Sequence, residues 1–159
     1  MLLVLTTGGT IDKVYFDATS EYEIGEPTVP LVFREAGVAL PWRLESLFRK
    51  DSLEFTDEDR QQVRQACADA PESRILLTHG TDTMTMTAEA LRGLEGKTIV
   101  LTGALAPARF RVTDAVFNLG LALGAVQSLP PGVYLAMNGT IFEAGTVVKN
   151  REAGKFEKV

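Results

Sequence analysis

Short apolar runs set between longer stretches of helical periodicity constrain the fold of this chain more than any other feature. The runs Leu2 to Thr6, Ile75 to Thr78, Thr98 to Thr102 and Gly132 to Met137 are too short for buried helices and read as buried strands. A further extended stretch lies around Arg43 to Phe48, where polar residues alternate imperfectly. Helical periodicity is clearest over Thr56 to Ala70, where Thr56 can cap and Asp57, Glu58 and Asp59 favour the positive end of the helix dipole. Thr83 to Leu94 and Asp114 to Gln127 follow the same period. Strands alternating with helices predict an α/β fold: a three-layer domain with a mostly parallel sheet flanked by helices.

Near the C-terminus the pattern changes. Gly139-Thr140-Ile141-Phe142 and Gly145-Thr146-Val147-Val148 flank Glu143-Ala144, which predicts a C-terminal β-hairpin hanging off the sheet edge. The charged tail Arg151 to Val159 is expected to be a solvated end. A chain of 159 residues with 45% hydrophobic content suffices for one core, so residues 1–159 are expected to form a single domain with no second one.

Charge and cysteine usage narrow the function classes. A net charge of −5 argues against nucleic acid as a partner, since no basic stripe offsets the negative field, and a small-molecule partner fits better. The single cysteine, Cys67, has no partner for an intramolecular disulfide. Met1 to Leu5 is too short for a signal sequence, and no run of apolar residues is long enough for a membrane span. A cytoplasmic location without membrane attachment is the expectation. His79 is the only histidine, so no metal site is expected, and nothing calls for a cofactor.

Two loops stand out. Thr6-Thr7-Gly8-Gly9-Thr10-Ile11 follows the first strand directly and so lies at the carboxyl end of the sheet, where α/β proteins place ligand crevices. Adjacent glycines let the backbone approach a ligand, and the hydroxyls of Thr7 and Thr10 supply donors or nucleophiles. The same spacing also fits an ordinary glycine turn in which Thr10 merely caps. A phosphate site is poorly supported, because neither GxGxxG nor GxxxxGK[ST] is present. The second loop, His79-Gly80-Thr81-Asp82-Thr83-Met84, repeats the arrangement after Leu76-Leu77-Thr78. Asp82 can cap a helix there or grip a substrate ammonium group, and Thr81 can orient a water if a base holds its proton. His79, next to Gly80 at a strand end, reads as a structural hydrogen-bonder.

In this order, Thr6-Thr7-Gly8-Gly9-Thr10-Ile11 and His79-Gly80-Thr81-Asp82-Thr83-Met84 resemble the two signature motifs of the bacterial-type asparaginase/glutaminase family. Val147-Val148-Lys149-Asn150 resembles the family's catalytic lysine followed by asparagine, and Ser52 resembles the serine that contacts the substrate α-carboxylate. Leu101-Thr102-Gly103-Ala104, Asp114 and Asn118 fit the next strand, loop and helix. The chain is similar to the short-chain, single-domain members, since most relatives carry a second domain that completes neighbouring sites across a dimer. Three departures stand out: Asp12 where the first motif has a small residue, Arg74 in place of a glycine, and the missing second-domain acid. Asp12 is expected either to disfavour charge build-up at the nucleophile or to face away as a solvated side chain.

The resemblance implies hydrolysis of the side-chain amide of asparagine. Thr10 would be the nucleophile, with N–H groups near Gly9 and Thr81 as oxyanion donors. Thr81, Asp82 and Lys149 would form a second triad, in which a lysine kept partly neutral by burial takes a proton from the threonine hydroxyl or from water. Gly9, Ser52, Gly80, Thr81 and Asp82 would bind the substrate. A family tyrosine in the mobile loop after the nucleophile is matched by Tyr22 or Tyr15; Tyr22 is preferred, because Ser20-Glu21-Tyr22-Glu23 is a polar segment able to close as a lid, whereas Tyr15-Phe16 can pack against the domain. Association into a homodimer or higher homo-oligomer is expected, through an apolar helix such as Asp114 to Gln127. Two rival readings are the amidase component of a tRNA-dependent amidotransferase and a non-catalytic amino-acid-binding module. Ammonia release from free asparagine without a partner distinguishes the hydrolase from the first, and ligand binding without turnover marks the second. Asparagine and glutamine differ by one methylene, worth only about 1–3 kcal/mol, so the motifs do not rank them.

Overall fold

Alternation of side chains along the first strand decides the layering. In the computed structural model, which describes residues 1–159, Leu3 and Leu5 of β1 (Leu2–Gly8) join one apolar cluster while Leu2 and Val4 join another. The two clusters lie on opposite faces of one sheet, because successive residues of a strand point to opposite sides. The first is covered by α2 (Asp57–Asp69) and α3 (Met84–Leu91), through Val63, Cys67, Ala88 and Leu91. The second is covered by α1 (Val29–Glu35) and α4 (Ala115–Ser128), through Val29, Phe33, Leu119 and Val126. All seven residues of β1 are buried, as expected for a strand with helices on both faces.

The sheet has six strands in the order β4 (Trp42–Lys50), β1, β5 (Arg74–Thr78), β6 (Thr98–Thr102), β7 (Gly132–Met137) and β8 (Thr140–Glu143). The first five are parallel and β8 is antiparallel to β7. This is the expected α/β architecture. All four strands predicted from apolar runs are present, and the Arg43 to Phe48 stretch is the middle of the edge strand β4. From β1 the chain adds β4 on one side and then β5 on the other, so β1 is the topological switch point, the place where open α/β sheets bind ligands beyond the carboxyl ends of the strands.

The helix starting at Asp57 has both halves of a capping box: Thr56 Oγ1 accepts from the Asp59 N–H at 3.2 Å, and the Asp59 carboxylate accepts from the Thr56 N–H at 3.0 Å. Lys50 reaches the same carboxylate at 2.9 Å and anchors the helix start to the end of β4. No helix is long and apolar enough to cross a membrane.

The C-terminal region contains an antiparallel hairpin, but between other partners than those expected. Thr140–Glu143 folds back on β7 as the last strand of the main sheet, turning at Asn138-Gly139, both with positive φ. Val147–Asn150, here β9, pairs instead with β10 (Lys155–Lys158) in a separate ribbon. The expectation of a solvated tail is therefore corrected: Phe156 of β10 is buried in the first cluster, which gives the tail an apolar anchor. A second ribbon, β2 (Lys13–Phe16) with β3 (Glu21–Ile24), follows the Gly8-Gly9-Thr10 loop and was not anticipated.

Candidate active site

Three neighbouring strands deliver the candidate residues to the carboxyl end of the sheet. Thr10 follows β1, Ser52 follows β4, and Thr81 and Asp82 follow β5. Gly9 has φ 89° and ψ −179°, a conformation open essentially to glycine alone, and it starts a single 3-10 turn over Thr10–Asp12. Its N–H donates to the Lys50 carbonyl at 3.0 Å, so the turn that carries Thr10 is fastened to the end of β4. On the other side a β-carbon at Gly9 would lie 2.6 Å from the Gly80 N and Cα, so the two strand-end turns touch through their backbones. Gly80 in turn packs on Ser52, whose side chain a β-carbon there would meet at 2.7 Å. Thr10 is half-buried.

Ser52 is buried and bonded to the second loop: Thr83 Oγ1 donates to its carbonyl at 2.7 Å, and its Oγ accepts from the Thr83 N–H at 3.3 Å. His79 is fully buried. Its Nδ1 lies 2.7 Å from the Gly80 carbonyl and its Nε2 2.8 Å from Thr87 Oγ1 on α3, so it braces the turn that carries Thr81. Burial pushes its pKa down to about 4, so the ring is neutral at physiological pH. A neutral ring with one donor and one acceptor suits these partners, Nδ1–H facing the carbonyl and Nε2 accepting from the hydroxyl.

Lys149 arrives from β9, far away in sequence. Its Nζ lies 2.7 Å from Thr81 Oγ1 and 2.8 Å from Asp82 Oδ1, with the lysine side chain only 14% exposed. The hydrogen bond from Lys149 holds the Asp82 carboxyl below the usual carboxylate range, against an opposing effect of burial. Arg151 Nε stands 3.5 Å from the same oxygen, a contact that a solvated tail would not have made. The Thr81–Asp82–Lys149 grouping is thus brought together by the ribbon that the tail completes. Asp82 itself does not cap: Thr83 is the residue before α3.

Tyr15 and Tyr22 face each other across the β2–β3 ribbon, with ring centroids 5.5 Å apart, and Tyr22 also meets Phe110 edge-on at 5.7 Å. Tyr15 is 53% exposed and Tyr22 52%, so Tyr15 does not pack into the domain as expected and exposure does not separate the two. Both line a cleft of about 330 Å³ with Lys13, Val14, Arg109 and Phe110.

Asp12 matches neither expectation in full. It is buried rather than solvated, and its Oδ1 accepts from the Thr28 N–H at 2.9 Å and from Thr28 Oγ1 at 2.8 Å. Thr28, fully buried, was missed in the sequence because a threonine ahead of Val29-Pro30 reads only as a helix start.

Residues 1–156 match the family model described as "Asparaginase, N-terminal". An L-asparaginase of Thermococcus kodakarensis is 32% identical over 163 residues, covering 96% of this chain and 48% of that protein. A glutaminase-asparaginase of Pseudomonas aeruginosa is 28% identical over 172 residues, covering 99% of this chain and 46% of that protein. Among solved structures, the thermostable L-asparaginase from Thermococcus kodakarensis superposes with a TM-score of 0.85 at 27% identity, over 99% of this chain and 51% of that one. L-asparaginase I from Vibrio cholerae gives a TM-score of 0.86 at 23% identity, over 99% and 50%, which speaks to the fold alone. The chain spans about half the length of the curated relatives it matches.

Proposed function

The chain belongs to the asparaginase family, and from that premise we propose that it hydrolyses the side-chain amide of L-asparagine to L-aspartate and ammonia, with Thr10 as nucleophile. The observation that supports this reading best is the Lys149 ammonium group held at hydrogen-bond distance from both Thr81 and Asp82, beside the turn that presents Thr10.

In the proposed reaction Thr10 Oγ1 attacks the amide carbon and the carbonyl electrons move to oxygen. N–H groups near Gly9 and Thr81 stabilise that oxyanion, the largest single contribution such sites make. Collapse, with the proton lost by Thr10 delivered to the amide nitrogen, expels ammonia and leaves an acyl ester on Thr10, which water then cleaves to release aspartate and restore the Thr10 hydroxyl. Tyr22, on the exposed ribbon, is assigned to activate Thr10 as the ribbon closes. Thr81 and Lys149 relay the proton: at 2.7 Å an ammonium donates to the hydroxyl oxygen and a neutral amine accepts its hydrogen, so the same contact serves both directions. Asp82, kept ionised, offers a counter-charge to the substrate ammonium, while Ser52 and the Gly80 backbone contact its α-carboxylate end.

The proposal extends to self-association and to a cytoplasmic location. The outer face of α4 exposes Val116 at 52% and Phe117 at 65%, an apolar surface that a second copy of the chain would cover. A concentration series by light scattering tests this. The activity itself is tested by ammonia release from asparagine and from glutamine with the purified protein alone: release from asparagine, lost in Thr10→Ala, supports the reading, and release undiminished in that variant refutes it.

A further inference from the structure

Lys13 begins the ribbon that carries Tyr15 and Tyr22, and Ile24 ends it, so residue 12 sits at the ribbon's neck. Asp12 closes that neck twice. Its carbonyl accepts from the Gly25 N–H at 2.9 Å, continuing the β2–β3 ladder, and its carboxylate accepts both the N–H and the hydroxyl of Thr28. Thr28 Oγ1 also lies 3.3 Å from the carbonyl of Ile11. Asp12 is at the same time the last residue of the 3-10 turn that begins with Thr10, and its N–H closes that turn on the Gly9 carbonyl at 3.2 Å. One buried side chain therefore joins the nucleophile turn to the segment leaving the tyrosine ribbon.

We propose that Asp12 is a positioning residue, clamping the neck of the β2–β3 ribbon to the turn that presents Thr10 so that the ribbon closes from one fixed anchor and brings its tyrosines to the nucleophile in register. Its kinetic consequence rests on the amidohydrolase reading above; its structural consequence does not. A buried carboxylate that keeps only a threonine as its partner is a costly choice for simple stability, and its position at the neck supplies the reason for it. The charged groups facing it are Arg109, on the loop after β6, and Arg49 of β4, which is itself paired with Glu26 at 2.8 Å. Burial outweighs the Thr28 hydrogen bonds and these cations, and raises the Asp12 carboxyl to about 6. The carboxyl is therefore ionised at neutral pH, and protonation weakens the two hydrogen bonds from Thr28 while the side chain stays buried.

The test combines kinetics with NMR across the titration. In the wild type the Thr28 amide and the Tyr15 and Tyr22 ring signals should shift together with a midpoint near 6, and the turnover number on asparagine should fall on the acid side with the same midpoint. In Asp12→Asn both should be flat there, with kcat about tenfold lower at neutral pH and KM changed by less than about threefold, the size of losing hydrogen bonds to a charged group. Thr28→Val keeps the backbone donor and should lower kcat about fivefold, and Thr28→Ser should restore it. Should Asp12→Asn fail to fold, the Thr28 pair decides. Tyrosine signals indifferent to the Thr28 titration, or wild-type kcat in Thr28→Val, overturn the clamp. Coupled signals in a protein that releases no ammonia support the clamp and refute the amidohydrolase reading instead.

Discussion

Gly9 and Gly80 touch backbone to backbone: a β-carbon on Gly9 would stand 2.6 Å from both the N and the Cα of Gly80. Two turns at the ends of β1 and β5 therefore approach each other as closely as polypeptide permits, and only a residue without a side chain fits between them. Gly9→Ala combines this collision with a φ of 89° that side chains disfavour, and nothing flexible is there to yield. We expect it to cost at least about 2 kcal/mol of stability, measured by urea denaturation, and to lose ammonia release even where folded protein is recovered.

Thr10→Ala should abolish turnover and leave the melting temperature within a few degrees of wild type, because Thr10 is only half-buried and sits in a turn held by backbone hydrogen bonds. Thermal denaturation and an ammonia assay on the same preparation separate loss of chemistry from loss of fold.

Lys149→Met removes both contacts of the amine while keeping the length of the side chain. Turnover should fall by about 100-fold or more, the usual contribution of a positioned proton-transfer group. An unchanged kcat and pH–rate profile would take Lys149 out of the mechanism.

Asp12 and His79 oppose each other in the pH dependence of stability. The folded-state pKa of Asp12 is raised to about 6, so the folded protein holds that proton more tightly than the unfolded chain, and its contribution is lost as pH rises from 3.8 through about 6. For His79 the folded value is lowered to about 4, so its contribution is present above 6.5 and is lost as pH falls through about 4. Each is worth on the order of 3 kcal/mol across its window, and over the shared range they largely cancel. Asp12→Asn should therefore lose stability more steeply than wild type on acidification, as read from urea midpoints at stepped pH; parallel curves would contradict the assignment.

Thr56→Ala removes the side-chain half of the capping box at the start of α2. A loss of about 1 kcal/mol, seen as a lower urea midpoint with an unchanged slope, is expected, with kcat little altered.

Much of this was legible in the residues because it depends on local chemistry. Apolar runs of strand length, a threonine followed by three acids, and paired glycines after a strand each state their structure within a few positions, as Leu2 to Thr6, Thr56 to Asp59 and Gly8-Gly9 do. The C-terminal ribbon was misread because Thr140–Glu143 and Val147–Asn150 both carry strand character, and nothing local says that the first pairs with β7 and the second with Lys155–Lys158. The choice was made by Phe156, whose burial in the main core draws the charged tail back. Asp12 was misjudged for the same reason, since its partner Thr28 lies sixteen residues on, across the ribbon.

By itself the sequence determined the layering and the residue types at the ends of the strands, because period and turn chemistry act over a few residues. Only the tertiary structure decided that Lys149 reaches Thr81 and Asp82 across 68 and 67 positions, that Arg151 joins them, and that Asp12 is buried at the neck of the tyrosine ribbon. Contacts between distant segments are selected by which side chains can leave water together, and that competition is settled by the whole core rather than by any stretch of chain.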